Sequence, residues 1–197
     1  MNRVQKFTAI TSALVLLQTG TQHAAAAQTM HAAGFKSMAL HVADIKHLFG
    51  SGFTEAPAYR HRGSDITCHN LPTSDYVLNL VGPIATHGVM GVGTSFSKYA
   101  NSAGARCNMT YDIASRKTTS SLFGERDSDL TGIGDRGILI RLDPKNHGAG
   151  HPVWTLSARF IRGKYLIQVI VSSIKNIRDA DVEKLAAIVD GRVKRGG

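Results

Sequence analysis

Residues 153–173 read VWTLSARFIRGKYLIQVIVSS. Val153 to Ile161 and Tyr165 to Ser172 are two runs rich in β-branched, aromatic and aliphatic residues, separated by Arg162-Gly163-Lys164. Such runs around a tight glycine predict a β-hairpin, because glycine takes the positive φ of a short loop at little cost. Leu166, Ile167, Val169, Ile170 and Val171 form a nearly continuous apolar run. A strand of that kind is covered on both faces, so it is expected in the middle of the sheet. Downstream, Val182, Leu185, Ala186, Ile188, Val189 and Val193 share one face at helical spacing, with Asn176 or Asp179 available as the cap. They predict a final helix to about Val193 that lies across the sheet.

Upstream, Val42, Ile45, Leu48 and Phe49 predict a short helix closed by Gly50 as a left-handed cap. Ile66 to His69 and Tyr76 to Val81 read as strands, paired as a hairpin through Leu71–Asp75. Gly82 to Gly93 is ambiguous. Ser95 to Ala103 suits a short helix, Cys107 to Ile113 a strand, and Ser115 to Phe123 another helix. Gly124 to Asp135 reads as a charged loop before a strand at Ile138 to Leu142, and Asp143 to His151 as a polar loop. Hairpins with flanking helices predict an α+β domain: a mainly antiparallel sheet with helices packed on it.

The N-terminus decides the compartment. Residues 1–27 read MNRVQKFTAITSALVLLQTGTQHAAAA. Arg3 and Lys6 precede the apolar Phe7 to Leu17, and Ala24 to Ala27 offer a small-residue cleavage zone. That order is the pattern of a secretory signal peptide. Its apolar stretch is shorter than the roughly 20 residues of a membrane-spanning helix, so no transmembrane segment is expected in the mature chain. The expectation is a periplasmic or secreted protein, with residues 28–197 as a single domain whose residues 28–36 are flexible. The alternative, a buried N-terminal helix, accounts less well for the order of charge, apolar run and alanines.

The chain carries 23 Lys and Arg against 14 Asp and Glu, a net +9, and loss of Arg3 and Lys6 with the signal leaves +7. A basic exported surface suits an anionic envelope component or a partner protein, and also simple solubility. The bases are scattered, so nucleic acid is not expected as a partner. Cys68 and Cys107 are the two cysteines. In an oxidising compartment they read as one structural disulfide, since no C-x-x-C redox motif is present.

Catalytic motifs are fragmentary. Ser95-Phe96-Ser97-Lys98 matches the S-x-x-K nucleophile pattern of penicillin-binding enzymes, but its companion elements are missing, Lys117-Thr118-Thr119 being the nearest. Gly91-x-Gly93-Thr94-Ser95 is a fragment of a phosphate loop without its lysine. Nine histidines, including His41, His47, His61, His69, His87 and the His147/His151 pair, lack the spacing of a zinc motif. A metal site assembled only on folding stays open, but no metal or cofactor is expected. Glu125, Asp127 and Asp129 alternate but lack the other positions of a calcium loop. A hydrolytic site built on folding would draw on His69 or His151 with Asp135 or Asp143 beside a serine.

Leu130-Thr131-Gly132-Ile133-Gly134-Asp135-Arg136-Gly137, followed by an apolar strand, the strand pair about Arg162-Gly163-Lys164 and a closing amphipathic helix, resembles exported bacterial sensor-type domains and small secreted lipoproteins. It looks like the extracellular sensor domain of mycobacterial serine/threonine kinases. The resemblance implies a sheet with helices on one side and a cleft for a ligand. It carries no functional residue over. The chain therefore reads as a non-catalytic envelope module that binds a small ligand, an envelope polymer or a partner protein, with a small hydrolase as the alternative.

Overall fold

A computed structural model describes residues 34–58, 68, 72–83, 88–123, 125–142 and 153–196. The expected signal peptide and most of residues 28–36 lie outside them. Residues 34–37 belong to a separate N-terminal unit and form part of a helical turn, in which the Ser37 hydroxyl donates to the Gly34 carbonyl at 2.8 Å.

From Met38 onward the chain builds one seven-stranded sheet. The strands are β1 (Thr54–Glu55), β2 (Ser74–Val81), β3 (Val89–Lys98), β4 (Glu125–Asp129), β5 (Arg136–Leu142), β6 (Trp154–Arg162) and β7 (Tyr165–Ser173). Their spatial order is β1-β2-β3-β7-β6-β5-β4, and every neighbouring pair is antiparallel. The helices are α1 (Val42–Phe49), α2 (Ser102–Phe123) and α3 (Asp179–Gly196). This is the α+β architecture expected, with β7 at the centre.

The 153–173 hairpin forms about the expected turn. Arg162 pairs with Tyr165, Phe160 with Ile167, Ala158 with Val169 and Leu156 with Val171. The two-residue loop places Gly163 at φ +56, the left-handed geometry that a tight hairpin asks of its first loop position.

Strand alternation then sorts the side chains into two faces. On one face lie Leu156, Ala158, Phe160, Ile167, Val169 and Val171, all at most 1% exposed, joined across β3 by Val92 and Phe96. α3 covers this face with Val182, Leu185, Ala186, Val189 and Val193. The opposite face carries Ile138, Ile140, Ile161 and Leu166, which cluster with Tyr99, Ala105 and Met109, while Ile113 packs against them. Helices therefore lie on both faces of the sheet, not on one as the family resemblance implied. The ion pairs agree: Arg159 reaches Asp112 of α2 at 3.0 Å, and Arg162 reaches Asp190 of α3 at 2.6 Å.

α1 is tied to α3 by a charged fork. Arg192 donates to both Asp44 oxygens at 2.8 and 2.7 Å and also to the Ala39 carbonyl. Asp44 in turn accepts the His41 N–H at 2.7 Å, closing the first turn of α1.

Several local expectations are corrected. Ser95 to Lys98 ends β3 and is not helical; the helix starts only at Ser102, where Asn101 Oδ1 accepts the Gly104 N–H at 3.0 Å. Cys107 to Ile113 lies inside α2 and is not a strand. Ala105, Met109 and Ile113 recur every four residues, and that spacing outweighs the shorter alternation of Cys107 to Tyr111. Ser115 to Phe123 continues the same helix. Within Gly124 to Asp135, Glu125–Asp129 forms the edge strand β4, because β5 needs a partner beyond β6. β2 pairs with β1 and β3, and of its expected partner Ile66 to His69 only Cys68 is described. Gly50 does close α1, but at φ 85 and ψ −169, outside the left-handed helical region. The final helix extends three residues beyond Val193, to Gly196.

The loop Leu130–Asp135 makes a prediction. Gly132 and Gly134 both have positive φ, 76 and 71. A Cβ on Gly132 meets open space, whereas on Gly134 it meets the Ile161 carbonyl at 2.6 Å and Phe160 at 3.0 Å. Gly132→Ala should cost about 1–2 kcal/mol from backbone strain alone, and Gly134→Ala clearly more. Urea denaturation of the two variants checks the order.

Candidate ligand-binding cleft

The two-residue turn after β6 leaves Arg162, Gly163, Lys164 and Tyr165 beside the last turns of α3 and the first residues of α2. With Asn101, Ser102, Val193 and Lys194 they enclose an open cleft of about 510 Å³. Its floor is largely apolar, from Tyr165 and Val193, and every charged group in its lining is a cation.

A buried carboxylate fixes the frame. Asp190 is 3% exposed. Its two oxygens accept Arg162 Nε at 2.6 Å and Nη2 at 2.8 Å, and Lys194 Nζ lies 3.0 Å away. Burial pushes the Asp190 pKa up, but the hydrogen bonds from Arg162, Lys194 and the Gly134 N–H outweigh it, and the group titrates below its ordinary range. Arg162 is raised in turn, chiefly by the bond to Asp190. Its remaining nitrogen, Nη1, donates to Asp135 Oδ1 at 2.6 Å, while Asp135 Oδ2 accepts the Gly163 N–H at 2.8 Å. All three guanidinium nitrogens are therefore committed.

Tyr165 is 8% exposed, and burial pushes its phenol up. Lys98 pairs with it across β3 and β7, and Lys164 follows the turn glycine. Each ammonium sits 6.0 Å from the ring centroid, at the outer reach of a cation–π contact. Their backbones are fixed: the Lys98 carbonyl accepts the Thr73 N–H at 2.6 Å, and the Lys164 carbonyl accepts the Tyr99 N–H at 2.9 Å.

The fragments singled out in the sequence do not converge here. Ser95 and Lys98 are three residues apart on a strand, so they point to opposite faces; a nucleophile and its base need one face, as a helix supplies. Gly91, Gly93, Thr94 and Ser95 lie within β3, paired with strands on both sides. Asp135 is a brace for Arg162 and the turn. His69, His151 and Asp143 lie outside the described residues, as do His61, His87 and His147. His41 precedes α1, with Nδ1 3.8 Å from Glu55, and His47 is exposed. Among the described residues no group of three or more His, Cys, Asp or Glu is placed to hold a metal, and no helix is long and apolar enough to cross a membrane. Asp127 and Asp129 stand exposed on the edge strand β4. Cys68 and Cys107 of α2 are at disulfide distance, with α-carbons 6.0 Å apart.

Sequence reasoning did not find Asp190, Arg162 and Tyr165 as a group. One signal was present: Asp190 sits among Ala186, Val189 and Val193 on the apolar face of α3, where an acid requires a partner.

No family model matches the chain, and no curated protein matches it in sequence. In structure it is similar to the extracellular domain of PknH from Mycobacterium tuberculosis, with a TM-score of 0.59 and 11% identity over 81% of this chain and 94% of that one. At that identity the likeness is one of fold.

The lowered Asp190 and Asp44 carboxyls make stability pH-dependent. Their contribution is complete above the unfolded carboxylate value of about 3.9 and is lost as pH falls through the lower folded values. Urea midpoints measured from neutral to acid pH should fall steeply below about pH 4, and Asp190→Asn should flatten that limb. At neutral pH, Asp190→Ala leaves Nε and Nη2 of Arg162 without their partner, Asp135 still holding Nη1, and should cost about 1–3 kcal/mol.

Proposed function

We propose that the chain is an exported, non-catalytic module of the cell envelope, periplasmic or secreted, whose cleft beside the β6–β7 turn binds a small ligand, an envelope polymer or a partner protein. The observation that carries this reading is the cleft itself: an apolar floor rimmed by Lys164, Lys194 and Arg162, with the arginine held in place by two carboxylates. Such a site offers recognition, with fixed backbone and flexible charged rims, and no nucleophile–base pair. The signal-like residues 1–27 and the likeness in fold to an extracellular domain support the placement outside the cytoplasm. A Cys68–Cys107 disulfide belongs to the same proposal, since it would persist only in an oxidising compartment.

Mass spectrometry of the protein recovered from the envelope of its own host tests the reading. The expected mass begins at residue 28 and is two hydrogens short of the reduced chain, and a fluorophosphonate probe does not label it. An uncleaved chain in the cytosol, or stoichiometric labelling of a serine, would contradict it. The bridge closes a segment 39 residues apart in sequence, so Cys107→Ser should lower the stability to urea by up to about 4 kcal/mol through loop entropy.

A further inference from the structure

We infer that the cleft at the β6–β7 turn recognises a phosphoryl group, as a phosphomonoester or phosphodiester, through Lys164 of its lining and Lys98, which reaches the same Tyr165 ring. The inference rests on the binding-module reading and names the chemistry of its ligand.

The sign of the charge comes first. Lys98, Arg162, Lys164 and Lys194 gather at this corner against Asp135 and Asp190, which leaves two cations in excess. Asp190 is shared between Arg162 and Lys194, so the excess resides at Lys98 and Lys164. Asn101 and Ser102, at the start of the 22-residue α2, line the same cleft, so a neutral hydrogen-bonding edge adjoins the cations.

The geometry of the donors then separates anions. A planar carboxylate is matched best by a guanidinium fork, which donates two parallel hydrogen bonds. The fork in this cleft is used internally: Nε and Nη2 of Arg162 bind Asp190, and Nη1 binds Asp135. Three of the five Arg162 N–H donors are thus spent, and the charge not offset by a carboxylate is that of two ammonium groups on flexible stems, each 6.0 Å from the same ring. Ammonium point charges have no preferred plane and suit a tetrahedral group whose oxygens point in several directions. Tyr165 and Val193 supply an apolar surface for the organic part next to the phosphate. The open side of the cleft admits a group carried on a longer chain or on a lipid headgroup, since both present the same phosphoryl chemistry.

The test uses the mature exported protein and two probes: soluble tripolyphosphate by calorimetry, and phosphatidylcholine vesicles containing phosphatidylglycerol by co-sedimentation. Lys98→Gln/Lys164→Gln is compared with Lys46→Gln/Lys184→Gln, which removes the same charge from exposed positions on α1 and α3. The cleft variant should lose about tenfold or more in affinity, with the control within about twofold. Citrate should compete poorly with tripolyphosphate. Binding of tripolyphosphate alone assigns a soluble phosphoryl ligand, and binding of vesicles identifies a headgroup. Equal losses in both variants would reduce the effect to net charge and overturn the inference. So would citrate competing as well as phosphate, or no binding of either probe. In those cases a cleaved, exported chain carrying a ligand without phosphate would leave the binding-module reading standing, whereas a cytosolic, uncleaved chain would remove that reading as well.

Discussion

The pairing of Trp154–Arg162 with Tyr165–Ser173 is the constraint on which the rest depends. One face of this hairpin is apolar along its whole length, and the other is apolar chiefly beside the turn, at Ile161 and Leu166. α3 buries the first, and α2 covers the apolar end of the second. Each apolar side chain removed from water contributes roughly 1.5–3 kcal/mol, so β6 and β7 carry more of the burial than the edges β1 and β4. The same short turn that fixes the register also brings Arg162, Lys164 and Tyr165 to the rim of the sheet, so the cleft is a by-product of the pairing.

Asp190 connects this frame to its charge. An acid on the buried side of α3 is costly unless it is paired. Arg162 resolves that cost from the hairpin, and Asp135 completes the arrangement from the β4–β5 loop by accepting from Arg162 and from the Gly163 N–H of the turn. One network thereby locks helix, hairpin and loop in a single geometry. Its second effect is to consume the arginine, leaving recognition to the lysines. The Asp44–Arg192 fork plays a similar part between the first turn of α1 and α3.

The fold was legible where one period dominates. The 153–173 hairpin, the α3 stripe and the Val42–Phe49 helix each carry an unambiguous alternation or helical spacing. The segment from Ser95 to Phe123 was not, because small and polar residues dilute both periods and the four-residue spacing of Ala105, Met109 and Ile113 is thin evidence alone. β4 was hidden for a different reason: an edge strand whose residues 126–129 are exposed needs no apolar alternation, and only β5 specifies it. The two-sided coverage by helices was implicit in the continuous apolar run of β7 but not in the family resemblance. The cleft was legible only in part. The cations of Arg162-Gly163-Lys164 were visible, whereas their convergence with Lys98, Asp190 and Lys194 spans three elements and follows from strand register, which the sequence does not print.

Hydrogen exchange of the mature protein, with and without saturating tripolyphosphate, tests the central claim most directly, because it reports where along the chain a ligand acts. The account predicts added protection concentrated at the β6–β7 turn, residues 162–166, and at the start of α2, residues 101–105. Protection that appears instead over β1 and β2, or no change at the turn under saturating ligand, would contradict it.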